Sequence, residues 1–163
     1  MNFKRLLKNW LPVFIWLGVI FLGSIDLMSA EHTSRFIVPF LRWLKPDISP
    51  ETLLSVHFVV RKFAHLGEYA VLALLLFRAV VCVANLTWSL WLLGVSIWIV
   101  CVVFATTDEF HQSFVRSRTA SVRDLMIDSV GAILGLLIGA IFGMTRSIKL
   151  ERAPADPSVQ SRF

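Results

Sequence analysis

The sequence is poor in what soluble proteins use most. Only 17% of its 163 residues are charged, against 56% hydrophobic, and the mean hydropathy is +0.72. An ordinary soluble domain carries about 25% charged residues, so one domain of this length has no interior large enough to hide the excess. The apolar surface must face lipid. There are two cysteines and no CxxC pair, which argues against a disulfide scaffold or a thiol redox site. There is no Gly-rich phosphate loop and no GxSxG elbow, so nothing points to nucleotide hydrolysis or a serine hydrolase. Tyrosine occurs once, beside 13 Phe and 6 Trp. Sixteen Lys and Arg against eleven Asp and Glu give a net charge of +5. The bases flank apolar runs instead of forming one stripe, which speaks for an anionic membrane surface and against nucleic acid.

A bilayer core about 30 Å thick needs roughly 20 helical residues. Four runs meet that need, at residues 10–25, 59–77, 88–106 and 125–144. The expected fold is all-α, an integral membrane four-helix bundle occupying residues 1–145. A basic tail at 146–163, with Pro154 and Pro157, reads as disordered and cytoplasmic. The first run follows Lys4, Arg5 and Lys8 as a signal peptide would, but Met28 stands where cleavage prefers a small residue, so the run is read as a retained span. The basic clusters before the first span and after the last place both termini in the cytoplasm of a bacterial plasma membrane.

The long connection after the first span carries Phe36, Ile37, Phe40, Leu41 and Leu44 at helical spacing. It reads either as a helix lying in the interface or, because Pro39 interrupts it, as a loop packed over the bundle. Ser49-Pro50 has the form of an N-cap followed by proline at the first helical position. The helix opened there can continue into the second span. Cys82 and Cys101 fall at depths about 20 Å apart, too far for a bridge.

Four alternating spans bring the end of span one, the start of two, the end of three and the start of four to one membrane face. The polar residues gather there. Lys62, His65 and Tyr69 share a helical stripe; Asp108, Glu109, His111 and Gln112 close span three; Arg116 and Arg118 follow; Asp124 and Asp128 open span four. Asp128 lies inside an apolar run, which demands an inward-facing partner from among Lys62, His65 and Arg118. Gly131, Gly135, Gly139 and Gly143 repeat every four residues and form a small-residue seam, suited to packing within the chain or between two copies.

Lys62, His65 and Tyr69 in the order KxxHxxxY, then Asp108, Glu109 and Gln112 as DExxQ, resemble the signatures of the VanZ-like membrane family. Phe114, Arg118, Asp124 and Gly131 follow at the family's distances, and the resemblance covers residues 10–145. This chain departs from it at Asp128, where asparagine is common, and at Arg116-Ser117, where a Pro-Gly pair is common. The resemblance implies a small multi-pass bacterial membrane protein, in a family named for low-level resistance to the lipoglycopeptide teicoplanin.

Three functions fit the polar cluster. The first is recognition of a cell-envelope lipid or lipopeptide group by Lys62, His65, Tyr69, Asp108, Glu109, Gln112, Arg118, Asp124 and Asp128, with Lys62, Arg116 and Arg118 holding phosphate or carboxylate. The second is a membrane enzyme in which His65 is the general base and Asp108 or Glu109 its orienting group or acid. A metal version would use His65, His111, Asp108 and Glu109, but no tight ligand spacing such as HExxH accompanies them, so no metal and no cofactor are expected. The third is an ion-pair network that only fastens the helices.

Overall fold

The computed structural model describes residues 3–24, 30–83, 89–114 and 121–151. Five helices account for nearly all of them: α1 (Phe3–Ser24), α2 (Ala30–Leu44), α3 (Pro50–Val83), α4 (Leu90–Gln112) and α5 (Val122–Glu151), with no strand among the described residues. Four are long and apolar enough to cross a membrane, through Leu6–Ser24, Pro50–Cys82, Leu90–Gln112 and Val122–Gly143. The chain is an all-α, multi-pass membrane protein.

Large apolar side chains point outward on each of these helices, including Phe14 and Leu22 on α1, Val103 and Phe110 on α4, and Leu137 and Phe142 on α5. In water such a surface would be a liability; in lipid it is the required one. Polar groups on the outer side of α4 are closed locally. Ser96, Thr106 and Thr107 each donate to the carbonyl four residues back, at 2.8, 2.8 and 2.9 Å, so no hydroxyl meets lipid unpaired.

The connection left open by the sequence is a helix. α2 runs through Pro39, whose ring is exposed, and its side contact with the body is to α3, where Ser34 Oγ and His57 Nε2 lie 3.5 Å apart. α3 begins where the Ser-Pro pair indicates: Ser49 Oγ accepts from the Thr52 amide at 3.3 Å. Its 34 residues extend about 51 Å, well beyond a 30 Å core. In the register that sets Leu66 against Gly131, the start of α3 lies beyond the start of α5, and α2 packs against α3 near His57. Ser89 caps α4 in the same way, accepting from Leu92.

The seam is between α3 and α5, the most extensive helix pair in the bundle. A Cβ added at Gly131 would overlap the Leu66 carbonyl, and one at Gly135 the Ala70 carbonyl. At Gly139 it would meet the Phe77 ring at 2.9 Å. The paired numbers rise together along both helices, so α3 and α5 run parallel, as the second and fourth of four alternating spans must. The remaining core is apolar and small: Val13 and Ile20 from α1, Leu72, Ala73 and Leu76 from α3, Leu93, Ile97, Cys101 and Ala105 from α4, and Ala132 from α5. Cys82 and Cys101 are free thiols. The tail beyond residue 151, Asp26, Arg116 and Arg118 lie outside the described residues.

Candidate functional site

The buried stripe of α4 explains where the polar cluster sits. Leu93, Ile97, Cys101, Ala105 and Glu109 recur every four residues, and Gln112 follows one turn on. The face that carries the hydrophobic core thus ends on two polar side chains. On α3 the buried line Leu76, Ala73 and Tyr69 continues to His65, and on α5 Ala132 gives way to Asp128 and Asp124. The cluster is the end of the bundle core, written in polar residues.

Two rungs join α3 to α5. Lys62 Nζ is ion-paired with Asp124, and Arg61 Nη2 lies 3.7 Å from the other oxygen of the same carboxylate. One turn along, His65 Nδ1 stands 3.3 Å from Asp128 Oδ1, within ion-pair range but without hydrogen-bond alignment. Of the candidate partners for Asp128 among the described residues, His65 is the one found; Lys62 is paired with Asp124, and Arg118 lies outside the described residues. Lys62 also sits 4.9 Å from the centroid of the Phe58 ring, a cation–π contact that helps hold its long side chain.

A second set ties α4 to α1 and α3. Ser24 donates to Asp108, while Gln112 Nε2 donates to Asp108 at 2.9 Å and to Ser24 at 3.2 Å. Arg61 Nη2 donates to Gln112 Oε1 at 3.3 Å. Glu109 Oε2 accepts the Ser121 amide at 2.7 Å, fixing the approach to α5. Trp16 Nε1 donates to the Glu68 carbonyl at 2.9 Å and closes α1 against α3.

This geometry changes several roles expected from the sequence. Lys62 is engaged by Asp124, so it is not a free cation awaiting phosphate. Asp108 is held by Ser24 and Gln112, and the carboxylate beside His65 is that of Asp128. His111 packs against Phe21 in a tilted ring contact, with centroids 5.0 Å apart. The metal set His65, His111, Asp108 and Glu109 is not assembled; instead, His65, Glu109 and Asp124 each place a ligand atom within 4.8 Å of the others, all three buried. Arg61, omitted from the expected site, enters it twice. Its signal was present in the sequence, since Arg61, His65 and Tyr69 are spaced i, i+4, i+8.

Several buried atoms of the cluster have no hydrogen-bond partner among the described residues: Tyr69 OH, His65 Nδ1, Glu109 Oε1 and both oxygens of Asp128. Native structures pair nearly all such groups. These atoms belong to α3, α4 and α5.

A family profile for VanZ/LLP1 matches residues 9–143. The chain belongs to the VanZ/LLP1 family. The match spans all four membrane-crossing helices and both motifs, so the family's pattern and the buried polar cluster coincide in this fold. No curated protein and no solved structure matches the chain.

An open groove lies elsewhere. It is apolar, lined by Phe77, Trp91, Trp98, Ile133 and Leu137 among others, and occupies the opposite half of the spans. Trp98 Nε1 donates to Ser129 Oγ at 3.0 Å at its polar-side limit. Its chemistry is that of a lipid-facing surface, and it contributes no reactive group.

Proposed function

We propose that the protein recognises the polar group of a cell-envelope lipid or lipopeptide, in a pocket at the extracytoplasmic end of its bundle in the bacterial plasma membrane. One observation carries the reading: among the described residues, the buried Tyr69 OH, Glu109 Oε1 and Asp128 Oδ2 have no partner. A network built only to fasten helices is expected to satisfy its own members, because each buried polar group left unpaired costs about 1–3 kcal/mol. Groups held open at one end of a bundle are suited to a ligand.

The partners also define the ligand's chemistry. Among the described residues, the open atoms include carboxylate oxygens of Glu109 and Asp128, which accept hydrogen bonds, and the Tyr69 hydroxyl and Arg61 Nε, which can donate. They suit amino or hydroxyl groups of a headgroup, such as those of a sugar or an aminated lipopeptide. An effect on glycopeptide susceptibility would follow if such a lipopeptide is held at the membrane surface.

Lipid mass spectrometry of the full chain, extracted in native-membrane nanodiscs, tests this. The wild type should retain an enriched envelope lipid or lipopeptide, lost in His65→Ala and Glu109→Gln proteins that keep their helix content. Identical lipid profiles for wild type and folded variants would leave only the fastening role.

The His65–Asp128 contact favours a second reading. A carboxylate beside one ring nitrogen can orient an imidazole as a general base. In that reading Asp128 takes the orienting role, and a folded His65→Ala protein would change the cell's envelope lipid products as well as the retained ligand.

A further inference from the structure

We infer that His65, Glu109 and Asp124 form a binding site for one divalent first-row transition cation, of the class of zinc or manganese. The inference concerns the proposed recognition pocket and rests on that pocket being a binding site; metal content and retained lipid are separate measurements, so each can fail alone.

One imidazole and two carboxylates are a donor set suited to such ions, since imidazole favours zinc and iron while carboxylates also accept manganese. The three ligand atoms lie within 4.8 Å of one another. Around an ion with ligands at about 2.0–2.1 Å, neighbouring ligands of a tetrahedron are roughly 3.4 Å apart. Closing the set therefore needs shifts on the order of 1 Å.

Two further observations point to a cation. Glu109, 7% exposed, leaves Oε1 without a partner among the described residues while Oε2 takes the Ser121 amide. Asp128, fully buried, stands beside Nδ1 of His65. Ligating histidines commonly have their second ring nitrogen held by a carboxylate, which fixes the ring. Asp128 stands in that position beside Nδ1, and ligation would then use Nε2. Among the described residues, both nearby cations, Lys62 and Arg61, meet at Asp124, so Glu109 and Asp128 have no basic neighbour but His65. Asp124 can ligate through Oδ2, where Arg61 Nη2 stands 3.7 Å away, and keep Lys62 on Oδ1.

The test uses the full chain in nanodiscs, stripped with a chelator and then equilibrated with ZnCl2 or MnCl2. Elemental mass spectrometry after desalting should find about one equivalent of one of the two metals. Glu109→Gln, which keeps the side chain's shape, should weaken that binding at least tenfold, as should His65→Ala. Asp124→Asn removes the partner of Lys62 and can impair folding, so Glu109→Gln decides the matter in a protein of unchanged helix content. No retained metal, or equal uptake by wild type and Glu109→Gln, overturns the inference. Lipid retained without metal also overturns it and leaves the headgroup reading standing. Metal retained without lipid supports the inference and removes the headgroup reading.

Discussion

Replacing Gly135 with alanine tests the architecture at its tightest point. A Cβ there would overlap the Ala70 carbonyl oxygen and lie 2.8 Å from the carbonyl carbon and 3.0 Å from the Cα. Carbon atoms attract best at about 3.5–4.0 Å, so α3 and α5 must separate by something on the order of 1 Å. The obstruction is backbone, which has no rotamer to change. Overpacking of this kind costs about 1–3 kcal/mol, and the upper end applies where backbone must move. Alanine in place of glycine returns up to about 1 kcal/mol through helix propensity. The net expectation is a loss of about 2 kcal/mol, or roughly thirtyfold in the folding equilibrium. Gly94→Ala is the matched control, because nothing lies within 4 Å of its Cβ, and it should be neutral or slightly stabilising. Gly139→Ala should fall between them, since its obstacle is the Phe77 ring, which can turn. Denaturant titration of the folded fraction in mixed micelles gives all three values. Equal stability for Gly135→Ala and Gly94→Ala would refute the close α3–α5 approach and the register drawn from it.

Removing one partner of the buried pair, in Lys62→Met, should destabilise the protein by on the order of 3 kcal/mol, because Asp124 is left buried with only Arg61 at 3.7 Å; thermal unfolding measures it, and Lys62→Arg should recover part of the loss. Ser24→Ala should cost about 1 kcal/mol by the same assay, since Asp108 keeps Gln112 but loses one donor. For the orientation, a cysteine placed at Ser161, in a chain with Cys82 and Cys101 replaced, should resist an impermeant thiol reagent added to intact cells. Efficient labelling from outside would reverse both termini.

The spans were legible because lipid imposes a length: runs of about twenty apolar residues have few other uses in a chain this short. The level of the polar residues was legible for a related reason, since alternating spans leave no choice about which ends meet. Partner identity was not. Lys62 and His65 are separated by less than one turn, and so are the rungs they make, so spacing alone allowed either to reach Asp128. The inner face of α4 was equally hidden. Leu93, Ile97, Cys101 and Ala105 form a clear stripe in the fold, but the residues around them are apolar too, because the outer face meets lipid. Hydrophobic periodicity fails where both sides are apolar. His111 shows the converse, a polar residue in the right segment whose ring goes to Phe21. Proline obscured α2: its ring breaks the pattern of donors, but an exposed ring at Pro39 leaves the helix continuous.

The glycine seam and the polar cluster are physically one arrangement. Aspartate is the shortest acid, and it reaches a neighbouring helix only where the backbones are close. Gly131 sits one turn below Asp128, where an added Cβ would overlap the Leu66 carbonyl, and Leu66 follows His65 directly. The contact that removes a side chain at 131 therefore sets the separation at which Asp128 meets His65. Asp124, one turn above, reaches only because Lys62 is long and extends toward it. Close approach thus supplies the short pair and side-chain length the other. A larger residue at 131 would open the His65–Asp128 contact before it disturbed Lys62–Asp124. Packing and chemistry at this end of the bundle are therefore coupled through a single backbone separation.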